Sequence, residues 1–335
     1  MGDLVGSEIK LPFKSPYDWQ SIFRFYQTHS ITGLERVTED SFARVFRIDN
    51  VIGFVSVAAT SGAPHFTVRI APDDPEITFA IVGRVRKMFD LDCDPVVIEK
   101  SFKRIPLLAN LCRRHPGLRL PRGWDPFETA ICSILGQLVS APQRANLIGQ
   151  LVQNYGMPIA HPWSGEITRL FPAAEVLANT DLSAVKTTVA RREAIREFSR
   201  RVLAGAISLS EDQDAAAFRQ ALLDIKGLGP WSAEYISLRA IGDTDAFPRT
   251  DLILRRVLGL HPKLNLALIK PWRSYGAIYL WKEFAQSLSK SNKEKNHDAL
   301  LQRNRIAGRQ AQIGRKRQRP GRGALGTRAA KPSKA

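Results

Sequence analysis

Asp251 and the short run Gly227-Leu228-Gly229-Pro230 are the residues of this chain whose types and spacing point to chemistry. Asp251 opens a helical stretch, where the helix dipole favours a negative charge. A carboxylate in such a place can stabilise a positive charge that develops beside it, or orient a nucleophile. It serves equally well as a plain helix cap. In the Gly-x-Gly run, two glycines flank Leu228 and a proline begins the next helix. Successive N–H groups and the positive end of that helix then point the same way, which suits a phosphate and ignores base sequence. A purely structural turn between two helices is the other reading.

The elements that must position these residues follow from the apolar spacing. Leu223, Ile225, Leu228, Trp231, Ile236 and Leu238 recur at helical intervals on both sides of the glycines, so Leu223 to Leu258 reads as helix, tight hairpin, helix, with the helix of Asp251 packed alongside. Upstream, Asp125-Pro126-Phe127-Glu128 is a helix start, with a capping carboxylate, proline at the first helical position and a glutamate placed for a capping box. Phe127, Ile131, Ile134, Leu135 and Leu138 then form one apolar face. Further helices are predicted over Arg144 to Tyr155, Arg191 to Ala204 and Asp214 to Ile225. Before Pro121 the pattern differs: Ala43 to Ile48, Ile52 to Ala58 and His65 to Ile70 read as antiparallel strands, and Pro75 to Phe89 as an amphipathic helix. The fold class is therefore α+β, an antiparallel-sheet domain followed by a two-lobed helical core. The expected boundaries are 1–112 for the N-terminal α+β domain, 113–288 for the helical core and 289–335 for a disordered basic tail.

A chain of 335 residues with 44% hydrophobic content is long enough for about two or three packed domains. Its net charge of +17 and pI near 10.1 point to a polyanionic partner such as nucleic acid, or to a merely solvated basic surface. From Ser289 onward 14 Lys and Arg face only Glu294 and Asp298, so +12 of the charge lies on the tail. Its cluster Arg315-Lys316-Arg317-Gln318-Arg319 suits phosphate attraction, a localisation signal or simple solubility. Cys93, Cys112 and Cys132 have neither metal-ligand spacing nor the look of a disulfide framework. No start like a signal peptide and no apolar run of membrane-spanning length is seen, so a cytosolic or nuclear place is expected.

The segment around Gly227 to Asp251 resembles the helix-hairpin-helix of the DNA glycosylase superfamily, with its downstream Gly, Pro and Asp signature, and more narrowly the DNA-3-methyladenine glycosylase II family. Pro16-Tyr17-Asp18-Trp19, Leu118-Arg119-Leu120-Pro121 with Ile134 to Ser140, and Lys270-Pro271-Trp272-Arg273-Ser274-Tyr275 resemble that family's opening, central and closing stretches. The likeness covers about residues 10 to 285, in order. It implies an active cleft between two helical lobes and a catalytic role for Asp251. It also implies a base pocket of Phe25, Trp231, Tyr235 and Trp272, whose faces attract a cationic base by about 0.5 to 2 kcal/mol. For each ring, core packing is the alternative. By the same resemblance Leu138 wedges into the duplex with Gln137 beside it, although Leu138 also continues an apolar helix face. Gly227, Leu228 and Gly229 would bind phosphate, with a sodium or potassium ion held by the carbonyls of Leu223, Ile225 and Leu228 and no other cofactor.

Trp231 stands where bifunctional relatives carry a Schiff-base lysine, so hydrolysis without strand cleavage is expected. No cysteine follows Cys132, where iron–sulfur relatives place four, so no cluster is expected. Leu252 occupies a position where relatives can carry tyrosine. The expectation is a monomeric, monofunctional glycosylase for alkylated purines in double-stranded DNA, without membrane association, cytoplasmic and nucleoid-associated, or nuclear in a eukaryote. A related glycosylase for oxidised or deaminated bases, and a noncatalytic helix-hairpin-helix DNA-binding protein, are the two other readings.

Overall fold

A computed structural model describes residues 6–159 and 165–284; the basic tail expected to be disordered lies outside them. Five strands form one antiparallel sheet: β1 (Ser7–Pro12), β2 (Glu35–Val37), β3 (Ser41–Ile48), β4 (Val51–Ala59) and β5 (His65–Ala71), in the order β1-β5-β4-β3-β2. Alternate residues Val55 and Val57 of β4 and Phe66, Val68 and Ile70 of β5 point to one buried face, as the two-residue period of a strand requires. The pairing of Val57 with Val68 holds that register. β1 and β2, absent from the strand pattern read above, are short and polar edge strands, the form in which an exposed sheet edge is least prone to further pairing. Helices α1 (Trp19–His29) and α2 (Pro75–Met88) bury Ile22, Phe23, Tyr26, Ile81 and Val85 against this face.

Two short helices, α3 (Pro95–Phe102) and α4 (Pro106–Arg114), the second running past residue 112, pack with a segment far along the chain. The Phe102 ring lies 5.8 Å from Tyr279, Arg114 pairs with Glu283 at 2.8 Å, and Leu108 meets Gly276. Their partners are a 3-10 turn at Leu266–Ile269 and a helix over residues 273–284, numbered α12 here. Short amphipathic helices cannot bury their apolar stripes alone, and here two segments distant in sequence bury each other's.

The other helical lobe contains α5 (Pro126–Leu135), α6 (Ala141–Tyr155), α7 (Ala174–Asn179), α8 (Val189–Leu203), α9 (Ala215–Leu223) and α10 (Pro230–Ile236), which continues as a π-helical turn at Ser237–Ile241. Ile131, Ile134, Leu151, Ile195, Phe198 and Leu222 fill its core. Asp125 caps α5 through the N–H groups of Phe127 and Glu128, as the sequence suggests. Glu128, however, does not turn back to complete a capping box. Its carboxylate takes Arg44 of β3 at 2.9 Å, and Glu35 takes the same guanidinium at 2.9 Å. Arg44 is 1% exposed, so this triad is a buried polar link between sheet and helical lobe. Burial raises both carboxyls, Glu128 to about 7, while Arg44 acts in the opposite direction.

Candidate active site

Asp251 is the N-cap of α11 (Leu252–Leu260), a position its short acceptor side chain favours. Its Oδ1 accepts from the N–H groups of Ile253 and Leu254, both at 3.0 Å, and from Trp281 Nε1 at 3.1 Å. Among the described residues, its Oδ2 accepts only from Trp231 Nε1, at 3.0 Å. Capping and chemistry are thus divided between the two oxygens. Oδ1 is saturated by three donors and fixes the carboxylate, while Oδ2 retains lone-pair capacity for a positive charge developing nearby. Leu252, immediately after it, is 71% exposed and leaves that side of the site open.

The aromatic residues do not all gather where the resemblance places them. Trp231 and Tyr235, one turn apart on α10, stack at 4.9 Å with 12° between their planes. Tyr235 meets Trp281 edge-on at 6.1 Å. Phe25 of α1 comes to the same group through Arg239, whose guanidinium lies over Phe25 at 4.4 Å and over Tyr235 and Trp281 at 5.4 Å each. Trp272 is elsewhere: its ring meets Tyr275 at 5.9 Å, and Tyr275 bonds to Asp90. The correction has a simple cause. Trp272 lies before the first residue of α12 and Trp281 nine residues further on, within the helix, so the two indoles are carried by different parts of the segment. The tryptophan of the closing helix that reaches Asp251 is Trp281, and neither it nor Arg239 was singled out by sequence spacing. Behind Phe25, His29 stacks at 4.1 Å, and burial followed by the charge of Arg144 lowers its pKa to about 3, so its imidazole is neutral.

The hairpin between α9 and α10 is anchored by Leu228, buried in the lobe core, with Gly227 exposed beside it at a φ of 98°. That left-handed backbone suits glycine. Gly229, the N-cap of α10, offers no side chain to the helix start, and a Cβ there would meet nothing. Among the described residues, the N–H groups of Gly227 and Gly229 have no protein acceptor. The start of α10 is therefore an uncovered set of donors beside the exposed Lys226.

Leu138 does not continue the apolar face of α5. The helix ends at Leu135 with Gly136 as its C-cap, and Leu138 turns out at a φ of 53°, fully exposed. That backbone region is sparsely populated by leucine, so the turn around Leu138 is held by its surroundings. Its base is firmly held: Gln137 Nε2 donates to Ser232 Oγ at 2.6 Å and to the Gly227 carbonyl at 3.2 Å, and Arg191 donates to the Gln137 carbonyl at 2.6 Å. Gln137 thus ties the projecting leucine to the hairpin and to the residue next to Trp231. The wedge candidate, the phosphate-binding candidate and the pocket share one rigid scaffold.

A family model described as the AlkA N-terminal domain matches residues 8–125. The probable bifunctional transcriptional activator/DNA repair enzyme AlkA of Mycobacterium tuberculosis is 32% identical over 82% of this chain and 56% of its own length, so the chain spans little more than half of that relative. The DNA-3-methyladenine glycosylase of Bacillus subtilis is 32% identical over 60% of this chain and 71% of its own. In fold, the solved 3-methyladenine DNA-glycosylase from Archaeoglobus fulgidus superposes with a TM-score of 0.70 at 18% identity, covering 83% of this chain and 98% of that one. The antiparallel sheet followed by helices agrees with the fold likeness, and the chain belongs to the AlkA family of DNA-3-methyladenine glycosylases.

Proposed function

We propose that this chain is a monofunctional DNA glycosylase that takes alkylated purines out of duplex DNA and hydrolyses their N-glycosidic bond, leaving an abasic site. The observation that carries this reading is the Asp251 carboxylate, held by the indoles of Trp231 and Trp281 with Oδ2 still able to accept, beside the stacked faces of Trp231 and Tyr235. A flipped base requires a stacking wall, and the sugar requires an anion as positive charge develops at its anomeric carbon. Water adds to that carbon as the base departs. Alkylated purines already carry positive charge on the base, so little acid assistance to the leaving group is needed. Trp231, at the position of the Schiff-base lysine in bifunctional relatives, supports hydrolysis in place of strand cleavage.

In this reading Leu138 fills the gap left by the flipped nucleotide, Gln137 borders it, and the amides of Gly227 and Gly229 take a backbone phosphate. Among the described residues, the carbonyls of Leu223 and Leu228 have no protein donor, whereas that of Ile225 accepts from Leu228. A sodium or potassium ion fits this set and would stiffen the turn. The protein acts as a monomer on DNA in the cytoplasm or nucleoid; no described helix is long and apolar enough to cross a membrane.

Base release from a methylated duplex by the wild type and by Asp251→Asn tests the proposal. The amide keeps one acceptor for the cap but turns an N–H toward an indole N–H, so release should fall by about a hundredfold or more while duplex binding persists. Unchanged release by the variant overturns the role of Asp251. Release confined to oxidised or deaminated bases favours the related glycosylase, and no release by either protein favours a binding module.

A further inference from the structure

Arg239 is a buried guanidinium with little to neutralise it. The two comparably buried arginines are better supplied: Arg44 sits between two glutamates, and Arg119, whose Nε also has no acceptor, donates through its terminal nitrogens to the carbonyls of Gly117, Leu118, Lys14 and Pro16. Arg239, 6% exposed, donates to one carbonyl, that of Pro121 at 2.6 Å. Its Nε is buried without an acceptor, and among the described residues no carboxylate lies within ion-pair distance. What surrounds the charge instead is the set of rings Phe25, Tyr235 and Trp281. Isolated buried charge is strongly unfavourable, and aromatic faces offset only part of it.

The backbone holds Arg239 in this place deliberately. It lies in the π-helical turn Ser237–Ile241, and its carbonyl accepts from Gly123 at 3.0 Å. Single π turns inside α-helices recur at functional sites, because the extra residue re-aims side chains. Four positions after Tyr235, the turn lays the guanidinium on the rings that flank Asp251 through Trp231 and Trp281.

We propose that Arg239 is a specificity-determining residue of the base pocket, lowering its preference for a cationic base and favouring a neutral base that presents a lone-pair acceptor. The inference rests on the glycosylase reading of the same site. A cation already lying on Phe25, Tyr235 and Trp281 uses their electron-rich character and repels a second positive charge. A carbonyl oxygen of a neutral base offsets the buried charge and gives its unsatisfied N–H an acceptor. Cationic purines, whose glycosidic bond is weak, are released in spite of Arg239. Neutral purines, whose bond is stronger, are released because of it.

The test compares kcat/KM on duplexes containing 7-methylguanine, a cationic base, and hypoxanthine, a neutral one with a ring carbonyl. Arg239→Met removes charge and donors while keeping apolar length. It should cut hypoxanthine release by about tenfold and raise 7-methylguanine release by about threefold, with Arg239→Lys recovering part of the hypoxanthine loss. Equal losses on both bases, or a larger loss on 7-methylguanine, overturn the proposal. Should Arg239→Met fail to fold, the wild type is compared on hypoxanthine and on unsubstituted purine, each rate divided by its spontaneous hydrolysis. Hypoxanthine should gain the larger acceleration; equal accelerations overturn the proposal. Absence of any release by the wild type overturns the glycosylase reading, and this inference with it.

Discussion

Trp281 Nε1 and Trp231 Nε1 grip opposite oxygens of one carboxylate, that of Asp251, from helices α12 and α10. The pair fixes the plane of the carboxylate, and each ring also joins Tyr235 in the aromatic wall. Replacing Trp281 with Phe keeps a ring and removes the donor. Single-turnover release of 7-methylguanine should fall by about tenfold, the scale of one hydrogen bond to a charged group. Trp272→Phe, beside Tyr275, should leave the rate unchanged. If the two substitutions act alike, Trp281 is not the wall of the pocket.

Leu138 is exposed and backbone-strained, so its folding and functional roles separate. Leu138→Gly relieves the left-handed backbone and should raise stability by about 0.5 to 1 kcal/mol in chemical denaturation, against the usual entropic loss at glycine. Excision from duplex DNA should nevertheless fall, with excision from a single strand unaffected. A parallel decline on both substrates would remove the wedge.

Arg44 holds Glu35 and Glu128 together at the junction of sheet and helices. Arg44→Met leaves two carboxylates buried without a cation, and denaturation at neutral pH should show a loss of about 3 to 5 kcal/mol. Adding Glu35→Gln and Glu128→Gln should recover much of it. No recovery would mean that packing, and not charge, is what Arg44 supplies.

His29 gives the acid side of the stability profile a definite sign. Its pKa is lowered to about 3 by burial and then by Arg144, so the unfolded chain binds a proton below about pH 6.5 that the folded chain refuses. Stability is therefore fully present above pH 6.5 and declines as pH falls, by at most about 1.4 kcal/mol per unit for this one group. Asp90, raised to about 6 by burial, has the opposite sign and favours the folded state as pH falls below 6. The difference between wild type and His29→Gln isolates the histidine: the variant should lose less stability between about pH 7 and 4. A pH-independent difference refutes the assignment.

The cap at Asp251, the glycine hairpin and the start of α5 at Asp125 were legible in the sequence because each is settled within a turn or two of chain. So were the three central strands, whose alternation carries their buried face. The edge strands were not, since short polar segments leave little periodic signal. Leu138 was half legible: its helix face suggested a core residue, and the left-handed turn after Gly136 was what sent it outward.

Nothing local distinguishes Trp272 from Trp281, or Arg239 from a surface arginine. Which indole reaches the carboxylate depends on how α12 meets α11, and the burial of Arg239 depends on a bond to Pro121 and on a ring from α1. The same holds for Arg44, whose second glutamate comes from α5, and for α3 and α4, which pack against α12. Turns, caps and amphipathic stripes are written by neighbours along the chain. Neutralisation of a buried charge, and the choice among chemically equal rings, are contacts between distant segments and exist only once the core has closed.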